Sequence, residues 1–259
     1  MSNMEQSKKN EIEELGTVLL EIGAYLMSSG ANSLRVRTIV ERIAGAYGYQ
    51  TELLITHRAL MLTLYIKSEK YFFNSLKRTS PHGVNFRVAS GISRMSWRII
   101  DEGWSIDQIK EELNRLINLP HFPRIVVLVM ISLAGASFCR LFGGSFIDMS
   151  VAFGATFGGL FVRQELTKRR FNPYLVVFAA ALTASLLSGF YMKFGSGDTR
   201  VHAFATSVLF LIPGVPLINS FSDLIDGNIM NGIVRGVNGL IIAFAIALGL
   251  LTAMQVYQL

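Results

Sequence analysis

Two carboxylates and a guanidinium stand close together in the stretch PGVPLINSFSDLIDGNIMNGIVRG: Asp223, Asp226 and Arg235. On a helix the i, i+3 spacing puts both carboxylates on one face. Asn219, Ser220 and Ser222 lie before the two carboxylates, and Asn231 and Asn238 flank the arginine. These groups are suited to binding: a carboxylate takes an ammonium group or a proton, and a guanidinium takes a carboxylate. A structural ion pair between Arg235 and either aspartate would use the same residues, and the residue types alone leave both readings open. Covalent chemistry is not indicated. No G-x-S-x-G, P-loop or G-x-G-x-x-G occurs, and neither His57 nor His82 has a Cys, Asp or Glu at metal-ligand spacing. His202 follows Asp198 at the edge of an apolar run, without the further Ser, His or metal ligand that a membrane-embedded hydrolase needs. The expectation is therefore a protein that is not an enzyme and has no catalytic residue, metal or cofactor.

What must position the charged groups is an interrupted apolar run. VHAFATSVLF begins at Val201 and looks like a membrane span, and Pro213 and Pro216 fall inside it. Each proline removes a backbone donor and clashes with the preceding turn, so a straight helix should not pass through both. Within a bilayer, broken backbone survives where protein or a water-filled cavity surrounds it. Transporters build substrate sites from such broken spans.

The composition supports a membrane class. The chain has 259 residues, 51% of them hydrophobic, and a mean hydropathy of +0.42, more apolar than a typical soluble domain. The net charge of +6 comes largely from Arg and Lys flanking the apolar runs. That pattern fits membrane topology better than nucleic-acid binding, because no basic cluster is interleaved with stacking aromatics. The one cysteine, Cys139, lies in an apolar run and excludes a disulfide framework. The opening MSNMEQSKKNEIEEL has no apolar core of a secretory signal, so the N-terminal region is expected in the cytoplasm.

Two domains are expected, a cytoplasmic α+β domain over residues 1–120 and a transmembrane domain over 121–259. In the first, Ile12, Leu15, Val18, Leu19, Ile22 and Leu26 mark one face of a helix over 10–29. A second helix, capped by Asn32 or Ser33, runs to Gly48. TELLITH, LMLTLYIKS and YFFNSLKRT then read as three strands of an antiparallel meander. Helices follow over 84–102 and 105–118, the latter opened by Ser105. Arg87, Arg94 and Arg98 form a solvated or headgroup-facing stripe. The fold class is thus an α-helical polytopic membrane protein of about five spans with an N-terminal α+β domain. The spans are expected at 124–142, 146–162, 174–194, 201 to about 222 (the broken one), and 229–256, most of them reaching the roughly 20 residues that cross about 30 Å of hydrocarbon. Arg140, Arg235 and the two aspartates should face the protein interior rather than lipid. Glycines such as Gly154 and Gly158, or Gly232, Gly236 and Gly239, should let helices approach closely. The basic loop RQELTKRR, with Arg163, Lys168, Arg169 and Arg170, places that side inside. The N-terminus is then cytoplasmic and the C-terminus outside.

The segment PGVPLINSFSDLIDGNIMNGIVRG resembles the signature of the threonine/serine exporter family: a Pro-Gly-x-Pro break, then an aspartate, a glycine and an arginine-containing helix. The opening LLEIGAYLMSSGANSLRVRTIVERIAGAYG is similar to that family's start, and the likeness runs from about Glu14 to Met254. The resemblance implies a secondary exporter of small hydroxy amino acids in the bacterial inner membrane. Longer members carry about ten spans, so a five-span chain looks like the large subunit of a split form that works with a small membrane protein, as a homo-oligomer, or both. The split pair of this size is associated with succinate, which leaves threonine/serine or a dicarboxylate as substrate. By position, Pro213, Gly214, Pro216, Asn219, Asp223, Asp226, Gly227 and Arg235 become the candidate substrate-binding residues. Arg235 would pair with a substrate carboxylate, and Asp223 or Asp226 would take an ammonium group or a coupling proton. Asp223→Asn should then abolish transport while leaving a folded protein. A sensor or scaffold merely anchored by the spans is the competing expectation, but it assigns no purpose to the Pro-Gly-Val-Pro break.

Overall fold

A computed structural model describes residues 3–67, 71–80, 83–120 and 122–259. His82, weighed above as a metal ligand, lies outside the described residues. The chain is mostly helical, and its contacts divide it into two compact units. One comprises Met1–Pro120 with Val215–Gly236, the other His121–Gly214 with Val237–Leu259.

The first unit opens with α1 (Asn3–Ser28) and α2 (Ser33–Ala46), followed by β1 (Gln50–Thr56), β2 (Ala59–Tyr65) and β3 (Phe72–Arg78), then α3 (Phe86–Glu102) and α4 (Ile106–Ile117). The apolar stripe of α1 is buried throughout, from Ile12 to Leu26. The strands form an antiparallel meander in the order β1-β2-β3. Thr56 pairs with Ala59, so His57 and Arg58 make a two-residue turn. Leu60, Leu62 and Leu64 alternate along β2 and are fully buried, and Leu62 and Leu60 stand opposite Leu53 and Ile55 of β1. Glycine permits α1 to lie close to this sheet. A Cβ on Gly16 would stand 2.3 Å from the Phe73 ring, and one on Gly23 2.6 Å from Leu60. Asn32 caps α2 by accepting the Arg35 N–H, and Ser105 and Gln108 close a reciprocal capping box at α4.

The same unit contains α9 (Gly214–Ile225) from Val215 onward and the first turns of α10 (Ile229–Tyr257). The turn between them is a Schellman motif: the Asn228 N–H donates to the Asp223 carbonyl at 2.7 Å and the Gly227 N–H to the Leu224 carbonyl at 3.2 Å. Gly227 takes the left-handed φ of 78° that this motif needs. Gly232 and Gly236 let α10 fold back on α9, facing Leu224 and the Ser220 hydroxyl.

The second unit holds α5 (Arg124–Leu141), α6 (Phe146–Lys168), α7 (Pro173–Phe194), α8 (Arg200–Thr206), a 3-10 turn (Leu209–Leu211) and α10 from Val237. Four helices, α5, α6, α7 and α10, are long and apolar enough to cross a membrane. Arg200–Leu211 and Gly214–Ile225 qualify only together, as a pair bent at its break, which makes up to five spans. The break falls at Ile212–Pro213. Pro216 lies in the first turn of α9, where its missing N–H has no intrahelical acceptor to lose. Two expectations are corrected here. α6 continues to Lys168 rather than ending at 162, because Gln164, Glu165 and Leu166 favour helix and Glu165 pairs with Arg124 at 3.0 Å. Arg140 is exposed rather than interior. It sits in the last turn of α5, where its long stem reaches out and its guanidinium donates to the Gly144 carbonyl at 3.1 Å. Gly159 lies close against α7, where a Cβ would stand 2.8 Å from the Ala180 carbonyl, whereas a Cβ on Gly154 would meet nothing within 4 Å.

Candidate functional site

The α9–α10 elbow meets the turn between α1 and α2. Gly30 takes a φ of 91°, which the connection requires, and residues 30–33 present two carbonyls, one N–H and one hydroxyl toward the elbow. The Asn219 amide donates to the Gly30 carbonyl at 2.8 Å. The Ser33 N–H donates to Asp223 Oδ1 at 2.8 Å. The Arg235 guanidinium donates to the Ala31 carbonyl at 3.1 Å. The Asn231 amide donates to the Ser33 hydroxyl at 3.2 Å and to the Ile55 carbonyl at 2.9 Å. At the centre, Asp223 Oδ2 lies 3.0 Å from Arg235 Nη1, with the Asp223 side chain fully buried and that of Arg235 7% exposed.

The helical periods explain why these side chains converge. Asn219 and Asp223 are four apart on α9, and Asn231 and Arg235 four apart on α10, so each helix turns one polar face to the same place. Their other faces are apolar and exposed, including Ile218, Phe221, Ile225 and Met230. The Ser220 hydroxyl donates to the Gly232 carbonyl at 2.7 Å and closes the elbow.

Of the expected site residues, Asn219, Asp223 and Arg235 are brought together. Pro213, Gly214 and Pro216 shape the chain before α9, and Gly227 shapes the turn after it. Asp226 is exposed and does not join the group. The sequence reading did not assign Ser33, Ala31 or Gly30 to the site. Their only local signal was the α2 cap, and their partners lie about 190 positions away. His57 also belongs to this neighbourhood. It is half-buried, and its pKa is held below the usual histidine value, first by burial and then by the Arg58 and Arg235 cations. A second buried carboxylate, Asp148, is not among the expected site residues. It is fully buried in the first turn of α6 and accepts from Thr199, Tyr191 and the Ser145 N–H. The S-x-x-D capping spacing was its sequence signal.

Among the described residues, no group of three or more His, Cys, Asp or Glu is placed to hold a metal ion. The elbow offers one buried negative charge, one buried positive charge and amide donors.

A family profile for the threonine/serine exporter (ThrE) matches residues 17–257. A protein of Klebsiella aerogenes named "Probable succinate transporter subunit YjjP" is 27% identical over 256 residues, covering 98% of both chains. A "Threonine/serine exporter" of Corynebacterium glutamicum is 26% identical over 216 residues, 80% of this chain but 44% of that protein. A "Probable threonine/serine exporter" of Mycobacterium tuberculosis is 20% identical over 240 residues, 91% of this chain and 45% of that protein. No solved structure matches.

Proposed function

The chain belongs to the threonine/serine exporter family, and from that premise we propose that it is one subunit of a split secondary carrier. The carrier exports threonine and serine across the bacterial inner membrane and works with a small membrane protein that supplies further spans. The observation that carries this reading is the buried Asp223–Arg235 pair in the elbow after the proline break. Arg235 takes the substrate carboxylate, and Asp223 takes the substrate ammonium or a coupling proton. The amides of Asn219 and Asn231 hold the elbow on residues 30–33 and line the same place. Pairing in the ligand-free state keeps both charges neutralised until a substrate replaces each partner, which is how a buried charge pair remains tolerable.

The second reading, export of a dicarboxylate such as succinate, is favoured by the end-to-end match to the Klebsiella protein of equal extent. The two are separated by efflux of preloaded labelled threonine, serine and succinate from cells expressing this chain, with and without the small membrane protein encoded beside it. Efflux of threonine and serine only with the partner supports the proposal, and efflux of succinate alone replaces it with the second reading. Efflux unchanged by Asp223→Asn would remove the elbow from either account.

A further inference from the structure

Building on that exporter reading, we infer that the place taken by the Asp223 carboxylate is a binding site for the carboxylate of a small ligand, filled here by the chain's own side chain. Three features make the place an anion site independent of Asp223. The Ser33 N–H is at the first turn of α2, a helix of 14 residues whose N-terminus carries partial positive charge. Arg235 is fixed beside it by its bond to the Ala31 carbonyl. Asn231 donates to the Ser33 hydroxyl and to the Ile55 carbonyl, so the start of α2 is tied to the elbow and to β1.

Asp223 fits this site incompletely. Its Oδ1 accepts from Ser33, but Oδ2 meets Arg235 Nη1 at 3.0 Å as a charge contact without hydrogen-bond alignment, and both of those buried atoms lack a hydrogen-bond partner. A carboxylate tethered to α9 cannot rotate to satisfy the helix N–H and the guanidinium together. A free carboxylate can, and carboxylate–guanidinium pairs gain most when aligned. The displaced side chain also has a route out. α9 is bounded by the Ile212–Pro213 break and by Gly227 in its left-handed turn, so it can lift without losing a hydrogen bond of its own helix.

Charge then ranks the ligands. An α-amino acid brings one carboxylate as Asp223 leaves, and its ammonium gives Asp223 a new partner. A dicarboxylate brings two negative charges to one guanidinium, and Asp223 must withdraw or take up a proton. The site therefore favours zwitterions over dianions while Asp223 is ionised.

The test uses the purified full-length chain in micelles, with acetate as the probe and equal sodium chloride as the control. Thermal stabilisation by acetate should reach half-saturation at a concentration about tenfold or more lower in Asp223→Asn than in wild type, because the internal negative charge that competes for Arg235 is gone. The shift should vanish in Asp223→Asn/Arg235→Gln. Equal half-saturation in wild type and Asp223→Asn, or a shift that survives in the double variant, overturns the inference. Should Asp223→Asn not fold, wild type carries the test: acetate should shift the carboxyl carbon resonance of Asp223 as that group leaves the Ser33 N–H, and an unmoved resonance is the refuting result. Acetate binding without efflux would fail the exporter reading alone, and efflux without this competition would fail the inference alone.

Discussion

Asp223 shares its charge with no solvent: it is fully buried, and its ion contact is with a guanidinium that is itself nearly buried. Breaking one side of such a pair costs about 3–5 kcal/mol, because the other charge stays behind uncompensated. Arg235→Gln should therefore lower the stability of the folded protein by about that amount in chemical denaturation. Asp223→Asn should lose less than Asp223→Ala, since the amide oxygen still accepts from the Ser33 N–H. The neutral double variant Asp223→Asn/Arg235→Gln should recover most of the loss. Exchanging the charges, Asp223→Arg with Arg235→Asp, should not rescue, because it aims a cation at the N-terminus of α2. Rescue by the exchanged pair would mean that Ser33 contributes nothing. His57 adds a pH dependence of known sign. Its folded pKa lies below the ordinary value of 6.5, so the unfolded chain binds the proton more readily. Its contribution to stability is complete above about pH 6.5 and is lost as the pH falls through the depressed folded value. The thermal midpoint should thus fall more between pH 7.5 and 5.5 in wild type than in His57→Gln, and parallel curves would contradict the assignment.

Among the elements, α1 shows how a helix can be set by what it lacks. Gly16→Ala would gain up to about 1 kcal/mol of helix propensity in the open, but the new Cβ meets the Phe73 ring at 2.3 Å, and overpacking costs about 1–3 kcal/mol. A net loss is expected. Gly45→Ala in α2 is the control, with nothing within 4 Å of its Cβ, and should gain about 0.5–1 kcal/mol. Equal effects in a denaturation comparison would refute the close approach. The elements themselves were largely legible, because they are local. The α1 stripe, the alternation in the three strands, the Ser105 box and the Pro213 break are written in neighbouring residues. The extension of α6 was missed because its charges resemble a loop until Glu165 is seen to pair with Arg124. The site was legible only in half. Asp223 and Arg235 stand out as charges in an apolar run, and Asn219 and Asn231 follow at helical spacing. Their partners in residues 30–33 offer backbone atoms, which carry no residue-type signal and lie some 190 positions away.

At the scale of the whole molecule, we propose that connectivity and the elbow together set how the chain threads the bilayer. Residues 215–236 hydrogen-bond to the turn between α1 and α2, so the elbow lies on the same side as the N-terminal strands and helices. In this proposal α5 would lead out from that side, α6 back to the basic turn at Arg169 and Arg170, and α7 out again, in the order in which the chain connects them. The bent pair of α8 and α9 must then return to the elbow, and α10 departs once more. Five crossings satisfy every step of this proposal, and under the positive-inside rule the basic turn, and with it the elbow, would face the cytoplasm. A re-entrant α8 would instead leave α7 and the elbow on the same side, and the basic turn on the other. The distinction is measurable with single cysteines added at the exposed Asp226 in the elbow and at Gln258 past the end of α10, since the native Cys139 is buried. In intact cells an impermeant thiol reagent should label Gln258→Cys and spare Asp226→Cys, while inside-out vesicles should reverse the pattern. Labelling of both positions from one side would show that α10 does not complete a crossing between them, and it would withdraw the five-span carrier on which the export proposal depends.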